Sequence, residues 1–394
     1  MNPEDRSSCP VCTSSRVVVF AEILDIPVHC NRLWATREEA IHAPRGDIRL
    51  GFCASCGHVF NLAFDPERVK YTRDYENSLH FSPHFQQYAE SLVRELTERH
   101  RLHGKTIVEI GCGKGEFLKM ICRFGGNRGI GFDPGCEGSE PAERGEDLTF
   151  ISDVYSERYA GYKADLLCCR QVLEHVASPL EFLAMVRRAL GHSGHATLFF
   201  EVPNVLFILR DLSIWDIIYE HFSYFSLSSL ARLFVSCGFT VGRLFNSYED
   251  QFLCVEASNR KPRSPSVCGD RRDYKDVFLG VTSFPEKYRR KTETWRTLID
   301  NIGKAGQRAV VWGAGSKGIT FLNTFNHDSR IDYVVDINPQ KHGRYIAGTG
   351  QQVVSPDFLR TYRPDMIIVM NSIYRREIQQ HTEGLGLRPE FHFA

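Results

Sequence analysis

Apolar and polar positions along the middle of the chain alternate between two periods. Short apolar runs read as strands at 106–110, 129–132, 149–151, 165–169 and 196–202, with helical 3.6-residue patterns between most of them. Such alternation predicts a parallel sheet with helices on its faces. Two further runs, 242–247 and 252–257, are separated only by Tyr248-Glu-Asp-Gln251, which is too short for a crossover helix, so they must pair as an antiparallel hairpin. The pattern restarts near the C-terminus, with strands at 309–311, 333–335 and 366–370 and a helix at 375–384. Helical sequence also covers 83–100 and 289–302, and Asp65-Pro66-Glu67 reads as a helix start. The polar, proline-bearing stretch 259–275 reads as a linker.

These patterns divide the chain into residues 1–65, a helical linker or lid at 66–103, an α/β unit at 104–258, a linker and helix at 259–305, and a small α/β unit at 306–394. A length of 394 residues agrees with more than one core. Lys+Arg and Asp+Glu balance at 48 each, which gives no electrostatic case for nucleic acid. No run approaches the roughly 18 apolar residues of a membrane span, and the polar start carries no signal-peptide core. An odd count of 13 cysteines without a signal points to a reducing, cytoplasmic setting.

Cys9-Pro-Val-Cys12 and Cys53-Ala-Ser-Cys56 form two Cys-x-x-Cys knuckles, each able to present two thiolates to one tetrahedral Zn²⁺. Four thiolates leave no open position, so the metal would be structural. His29, Cys30 and His42 in the insertion between the knuckles are weaker ligand candidates.

The first glycine turn, Gly111-Cys112-Gly113-Lys-Gly115, follows a strand ending in Glu109 and precedes a strand closing on Asp133-Pro134. Glycines there let a ligand approach the backbone, and the acid can accept hydrogen bonds from a ribose. Asp153-Val154 sits after the third strand, where an acid can meet an adenine amino group. Arg170-Gln171 and His175 follow the fourth, at the edge where ligands bind. With the reversed seventh strand, these features indicate a class I S-adenosylmethionine site in a Rossmann-like domain. A dinucleotide dehydrogenase would normally lack that strand.

Gly313-Ala-Gly315-Ser-Lys317-Gly318 with Asp336 matches a dinucleotide fingerprint and, taken alone, suggests NAD. It also suits the diphosphate of a nucleotide-bearing substrate, with Lys317 adding charge, or simple packing. Tyr219-Glu220-His221-Phe-Ser-Tyr224 follows the fifth strand and Asn204; a histidine beside a carboxylate and tyrosines can serve as a general base. Tyr71, Tyr75, Asn77, Ser78 and Ser82 form a polar, aromatic run, either a surface loop or a lid over the site.

The order of these motifs along nearly the whole chain resembles the three-part deoxysugar C-methyltransferases, which act on nucleotide-activated keto sugars in natural-product biosynthesis. The resemblance implies a zinc-binding N-terminal module, a central S-adenosylmethionine domain and a C-terminal Rossmann-like domain that helps hold the nucleotide sugar. It implies His221 beside Glu220 as base, with His175 at the site. Tyr219, Tyr224 or His175 would stabilise the enolate. Tyr75, Asn77, Ser78, Asn204, Gly315 and Lys317 are the expected substrate contacts. The chain departs from the family pattern at Ile218, where a tyrosine is usual, and at Gly-Ala-Gly-Ser-Lys-Gly, where the family loop reads Gly-x-Pro-Ala-Lys-Gly. An O- or N-methyltransferase acting on a sugar, glycan or other small metabolite is the alternative, and a non-catalytic NAD-binding sensor is a third reading.

Overall fold

The computed structural model describes residues 8–32, 34–69, 75–136, 147–191, 196–260, 270–325 and 331–394. The segment between the cysteine knuckles is a hairpin of β1 (Val17–Pro27) and β2 (Arg45–Cys53), with a short helix α1 (Arg37–Ile41) at its tip. β3 (Val59–Asn61) extends the hairpin antiparallel. Asp65-Pro66-Glu67 opens only a 3-10 turn, Pro66–Arg68, with the Asp65 side chain capping Glu67 N–H. Helix α2 (Pro83–His100) starts at the Ser82 cap and buries Phe85, Ala89, Leu92, Val93 and Leu96 along one stripe.

The central sheet uses β4 (Thr106–Ile110), β5 (Arg128–Phe132), β6 (Leu148–Ile151), β7 (Leu166–Arg170) and β8 (Thr197–Pro203), all parallel. Helices α3 (Glu116–Gly125), α4 (Pro179–Leu190) and α5 (Val205–Asp211) follow β4, β7 and β8. A two-residue strand β9 (Ser223–Tyr224) leaves this unit to pair with β3, Val59 facing Tyr224. Helix α6 (Leu227–Ser236) precedes β10 (Thr240–Ser247) and β11 (Phe252–Ser258), which form the expected antiparallel hairpin. The strand order is β10-β11-β8-β7-β4-β5-β6.

The helix expected at 289–302 is longer. Helix α7 spans Arg271–Ala305, 35 residues, and runs through Pro285. Asp270 caps its start, and a buried stripe including Val277, Val281, Phe284, Trp295, Ile299 and Ile302 outweighs the broken turn at proline. Residues 271–275 of the expected linker therefore belong to this helix, and 261–269 lie outside the described residues, as does Tyr71.

The C-terminal unit is a five-stranded, wholly parallel sheet rather than a three-stranded one. It consists of β12 (Ala309–Trp312), β13 (Ile331–Val335), β14 (Gln352–Val354), β15 (Met366–Val369) and β16 (Glu390–Phe393), in the order β14-β13-β12-β15-β16. Helices α8 (Ser316–Thr324), α9 (Leu359–Tyr362) and α10 (Arg375–Gly384) accompany it. Smaller apolar clusters serve one face of the central and C-terminal sheets, but the main core is shared. One apolar cluster runs from Cys9 and Phe60 through Tyr219 and Phe225 to Phe321 and Met370. One bridge pairs Trp34 with Tyr345, which in turn bridges Gln352 of β14, tying the N-terminal module to the C-terminal sheet. No described helix is long and apolar enough to cross a membrane.

Candidate active site

The first glycine turn joins β4 to α3, and Gly111, Gly113 and Gly115 all have positive φ (71°, 53° and 81°). Their surroundings differ. A Cβ on Gly111 would lie 2.2 Å from Val172, and one on Gly115 would lie 2.4 Å from the Phe150 ring, whereas one on Gly113 would meet nothing within 4 Å. Gly111 and Gly115 thus allow packing, and Gly113 leaves open space beside the backbone. Asp133 at the end of β5 accepts Gly113 N–H (3.0 Å) and Gly135 N–H (2.7 Å), so it fixes the turn. Glu109 is buried, and that burial pushes its carboxyl up to about 8.

Asp153 caps Val154 N–H at 2.8 Å and is held by Tyr159 and Arg158, while Val154 is exposed. Pro134 accepts Ser152 Oγ–H at 3.2 Å through its carbonyl. Cys112 is buried beside Gly131. Arg170 turns inward. It lies 4.1 Å from the Phe117 ring centroid and pairs with buried Glu201 at 3.0 Å. Gln171, with φ 54°, donates to the same carboxylate at 3.2 Å.

A cavity of about 310 Å³ opens beside this edge. Its wall combines Gln171, Glu174, His175 and His221 with Asn204, the run Tyr75 to Ser82, and the second glycine turn, including Gly315 and Lys317. The structure thus brings the expected base and every expected substrate contact to one space. His175 and His221 stack edge to face, ring centroids 4.9 Å apart. Burial first, then His175 and Lys317, drives His221 well below the ordinary histidine range, so its imidazole is neutral. Its Nδ1 is buried without a hydrogen-bond partner.

Tyr219, Glu220 and Tyr224 are not in the cavity wall. The Tyr219 hydroxyl oxygen accepts Asp65 N–H at 3.0 Å, and its ring fills the space over Gly46. Glu220 faces the N-terminal module, accepting Cys30 N–H at 3.2 Å with His29 at 3.7 Å. Tyr224 closes its own turn, donating to Ile218 C=O at 3.0 Å and accepting Ile218 N–H at 3.2 Å. This segment is a tight turn rather than a helix, so neighbours in sequence point to different bodies. Glu220 touches the site through its carbonyl, which takes His175 Nδ1–H at 3.0 Å.

In the second glycine turn, Gly313 has φ 118°, and a Cβ on Gly318 would lie 2.0 Å from Gly313 O. Asp336 accepts Ala314 N–H and Asn338 N–H, both at 2.8 Å, with Lys341 at 3.4 Å. Its carboxylate therefore shapes the loop, as that of Asp133 shapes the first turn. Lys317 pairs with Asp216, which sequence reasoning passed over although it lies in the same stretch as His221. Glu76 was also missed. It takes Lys114 from the first glycine turn and Asn338 Nδ2–H (2.9 Å) from the C-terminal unit. Ser78 donates to Glu116 at 3.0 Å, Asn31 to Tyr75 at 3.1 Å, and Ser82 to Glu377 at 2.7 Å. No motif signals such contacts, because each joins residues remote in sequence.

Cys9, Cys12, Cys53 and Cys56 converge, their sulfurs all within 4.8 Å and paired at 3.5 Å across the knuckles (Cys9 with Cys56, Cys12 with Cys53). Tetrahedral Zn²⁺ with bonds near 2.3 Å sets sulfurs about 3.8 Å apart, so the four fit such an ion. His29, Cys30 and His42 stand outside the group, with His42 Nδ1 donating to Glu38 C=O at 2.9 Å.

Comparison with known proteins agrees with this arrangement. Residues 82–244 match the family described as methyltransferase domain, and residues 275–387 match the C-methyltransferase C-terminal domain. C-methyltransferase NovU of Streptomyces niveus is 27% identical over 308 residues, 74% of this chain and 72% of that protein. A ubiquinone biosynthesis O-methyltransferase of Proteus mirabilis is 31% identical over 110 residues, 26% of this chain and 44% of that protein. The magnesium protoporphyrin IX methyltransferase of Synechocystis, solved with bound SAH, superposes with a TM-score of 0.36 at 19% identity, covering 45% of this chain and 84% of that one. By sheet order, glycine turn and the two family matches, the chain is a class I S-adenosylmethionine-dependent methyltransferase, and its residues 275–387 match the C-terminal domain family of C-methyltransferases.

Proposed function

We propose that this enzyme methylates a carbon next to a ketone on a nucleotide-activated keto-deoxysugar, with His221 as general base. One observation carries the reading: a single cavity holds the His175–His221 pair and the second glycine turn with Lys317. The first suits proton removal and the second suits a nucleotide diphosphate. The similarity to C-methyltransferase NovU favours carbon over oxygen as acceptor.

Bound S-adenosylmethionine supplies an already activated methyl group at the first glycine turn. The chain's own task is then positioning and proton removal. His221, neutral and with an unpartnered Nδ1, takes the proton α to the carbonyl, and the C–H electron pair becomes the enolate. His175 spends Nδ1–H on the Glu220 carbonyl, which fixes its ring and so the face it offers His221. Tyr219 and Tyr224 hydroxyls are engaged outside the cavity, so donors to the enolate oxygen come from the cavity wall: Gln171, Lys317 and the Tyr248–Tyr374 hydroxyl pair. The cysteine cluster holds a structural Zn²⁺ and takes no part in the chemistry.

Incubation with methyl-labelled cofactor and a panel of nucleotide 4-keto sugars tests the reading. The expected product carries the label on a ring carbon, with loss of a ring proton and resistance to acid cleavage. Label on oxygen or nitrogen would replace it with the alternative reading, O- or N-methylation of a sugar, glycan or other small metabolite, for which the same base would serve.

A further inference from the structure

We propose that Glu174, His175 and His221 form a divalent transition-metal site inside the cavity, and that its occupation blocks methyl transfer. The ligating atoms of the three residues lie within 4.8 Å of one another, and all three residues line the cavity. Glu174 is 1% exposed, and its Oε2 is buried without a partner, as is His221 Nδ1. His175 donates Nδ1–H to the Glu220 carbonyl, and its Nε2 lies 3.8 Å from Glu174 Oε1. An imidazole anchored by a backbone carbonyl, with its other nitrogen turned toward a carboxylate, is the support that metal-binding histidines use. A cation placed between them satisfies the buried Glu174 Oε2 and His221 Nδ1 together and displaces any proton on Glu174.

Two imidazoles and one carboxylate suit Zn²⁺, Co²⁺ or Ni²⁺ and leave a position open toward the cavity. Tetrahedral Zn²⁺ with bonds near 2.1 Å sets its ligand atoms about 3.4 Å apart. Side-chain rotation of less than about an ångström per residue closes the difference from the observed spacing. Metal binding at His221 removes the lone pair that accepts the substrate proton. That consequence rests on the base role proposed above, whereas the site itself does not.

The test titrates zinc-loaded protein with Co²⁺. One further equivalent should bind, giving the visible bands of nitrogen- and oxygen-ligated Co²⁺ without sulfur-to-cobalt charge transfer. Glu174→Gln and His221→Asn should each weaken Co²⁺ binding at least about tenfold, with S-adenosylhomocysteine affinity reporting that the fold is kept. Turnover of the unaltered enzyme should fall with Co²⁺ occupancy and return on adding a chelator. No further equivalent, equal affinity in both variants, or a sulfur-to-cobalt band overturns the site. Turnover that rises with Co²⁺ overturns the inhibitory role. Full turnover by metal-free His221→Asn would instead sink the base reading, and the Co²⁺ titration would still decide the site.

Discussion

The glycines of the first turn do different work, and two substitutions separate it. Gly111→Ala meets both a left-handed backbone (φ 71°) and a Val172 methyl 2.2 Å away. An L-residue in that conformation costs about 1–2 kcal/mol, and overpacking adds about 1–3 kcal/mol, so the loss should be about 2–5 kcal/mol. Gly113→Ala meets the backbone penalty at φ 53° but no atom within 4 Å. Its loss should stay at about 1–2 kcal/mol. Its methyl group, however, occupies space beside the backbone where S-adenosylmethionine would lie. Affinity for S-adenosylhomocysteine should therefore fall at least about tenfold, or roughly 1.4 kcal/mol. Urea unfolding of both variants measures the first pair of numbers, and calorimetric titration of Gly113→Ala the second. Equal destabilisation by the two substitutions, or unchanged ligand Kd in Gly113→Ala, would refute the assignment of Gly113 to the cofactor side.

Other outcomes follow from the same geometry. His221→Ala should retain S-adenosylhomocysteine binding and lose about 10²–10⁴ in kcat; a folded variant with normal kcat would remove His221 as base. Lys317→Met should raise the KM for a nucleotide sugar about tenfold, the scale of one hydrogen bond to a charged group, and leave cofactor Kd unchanged; a change in cofactor Kd alone would contradict it. Glu109, pushed up to about 8 by burial, has a folded pKa above its unfolded value. Its contribution to stability is complete below about 4.5 and is lost as pH rises through about 8, a swing of about 3–4 kcal/mol between pH 5 and pH 8. Glu109→Gln should flatten that part of the urea-measured pH profile; an unchanged profile would show the shift to be absent. Cys12→Ser should lower bound zinc measured by atomic emission, and with it turnover, because β3 of the N-terminal module pairs with β9 two residues from His221. Full turnover without zinc would break that link.

Much of the fold was readable because its elements are long and periodic. Five short strands with helical patterns between most of them predict parallel pairing, and four residues between Ser247 and Phe252 allow only a hairpin. Paired cysteine knuckles carry their chemistry in their spacing. The unread elements had no such signal. β14 and β16 are three and four residues long, and α7 hides behind Pro285. At the site, sequence proximity misled. Tyr219, Glu220 and Tyr224 flank His221 in the chain, yet their side chains brace the N-terminal module and their own turn. Only His221 of that group faces the cavity, and its partner His175 came from a separate motif.

The run from Tyr75 to Ser82, readable from sequence as either a surface loop or a lid, links the two glycine turns. Its backbone joins the N-terminal module where Glu76 N–H donates to Asn31 C=O at 2.9 Å. From there Glu76 binds Lys114 of the first turn and Asn338 beside Asp336 of the second. Ser78 then reaches Glu116 at the start of α3, and Ser82 reaches Glu377 in α10. Glu76 is 5% exposed, so its charge is stabilised by those partners rather than by water. Removing either partner strands a buried carboxylate, which couples the geometry of the donor turn to that of the C-terminal unit. Glu76→Gln keeps the contact with Asn338 and removes the charge that holds Lys114. It should loosen the donor turn alone, raising cofactor KM while the acceptor KM holds. A parallel rise in both constants would mean that Glu76 serves only as a structural rivet between the two units.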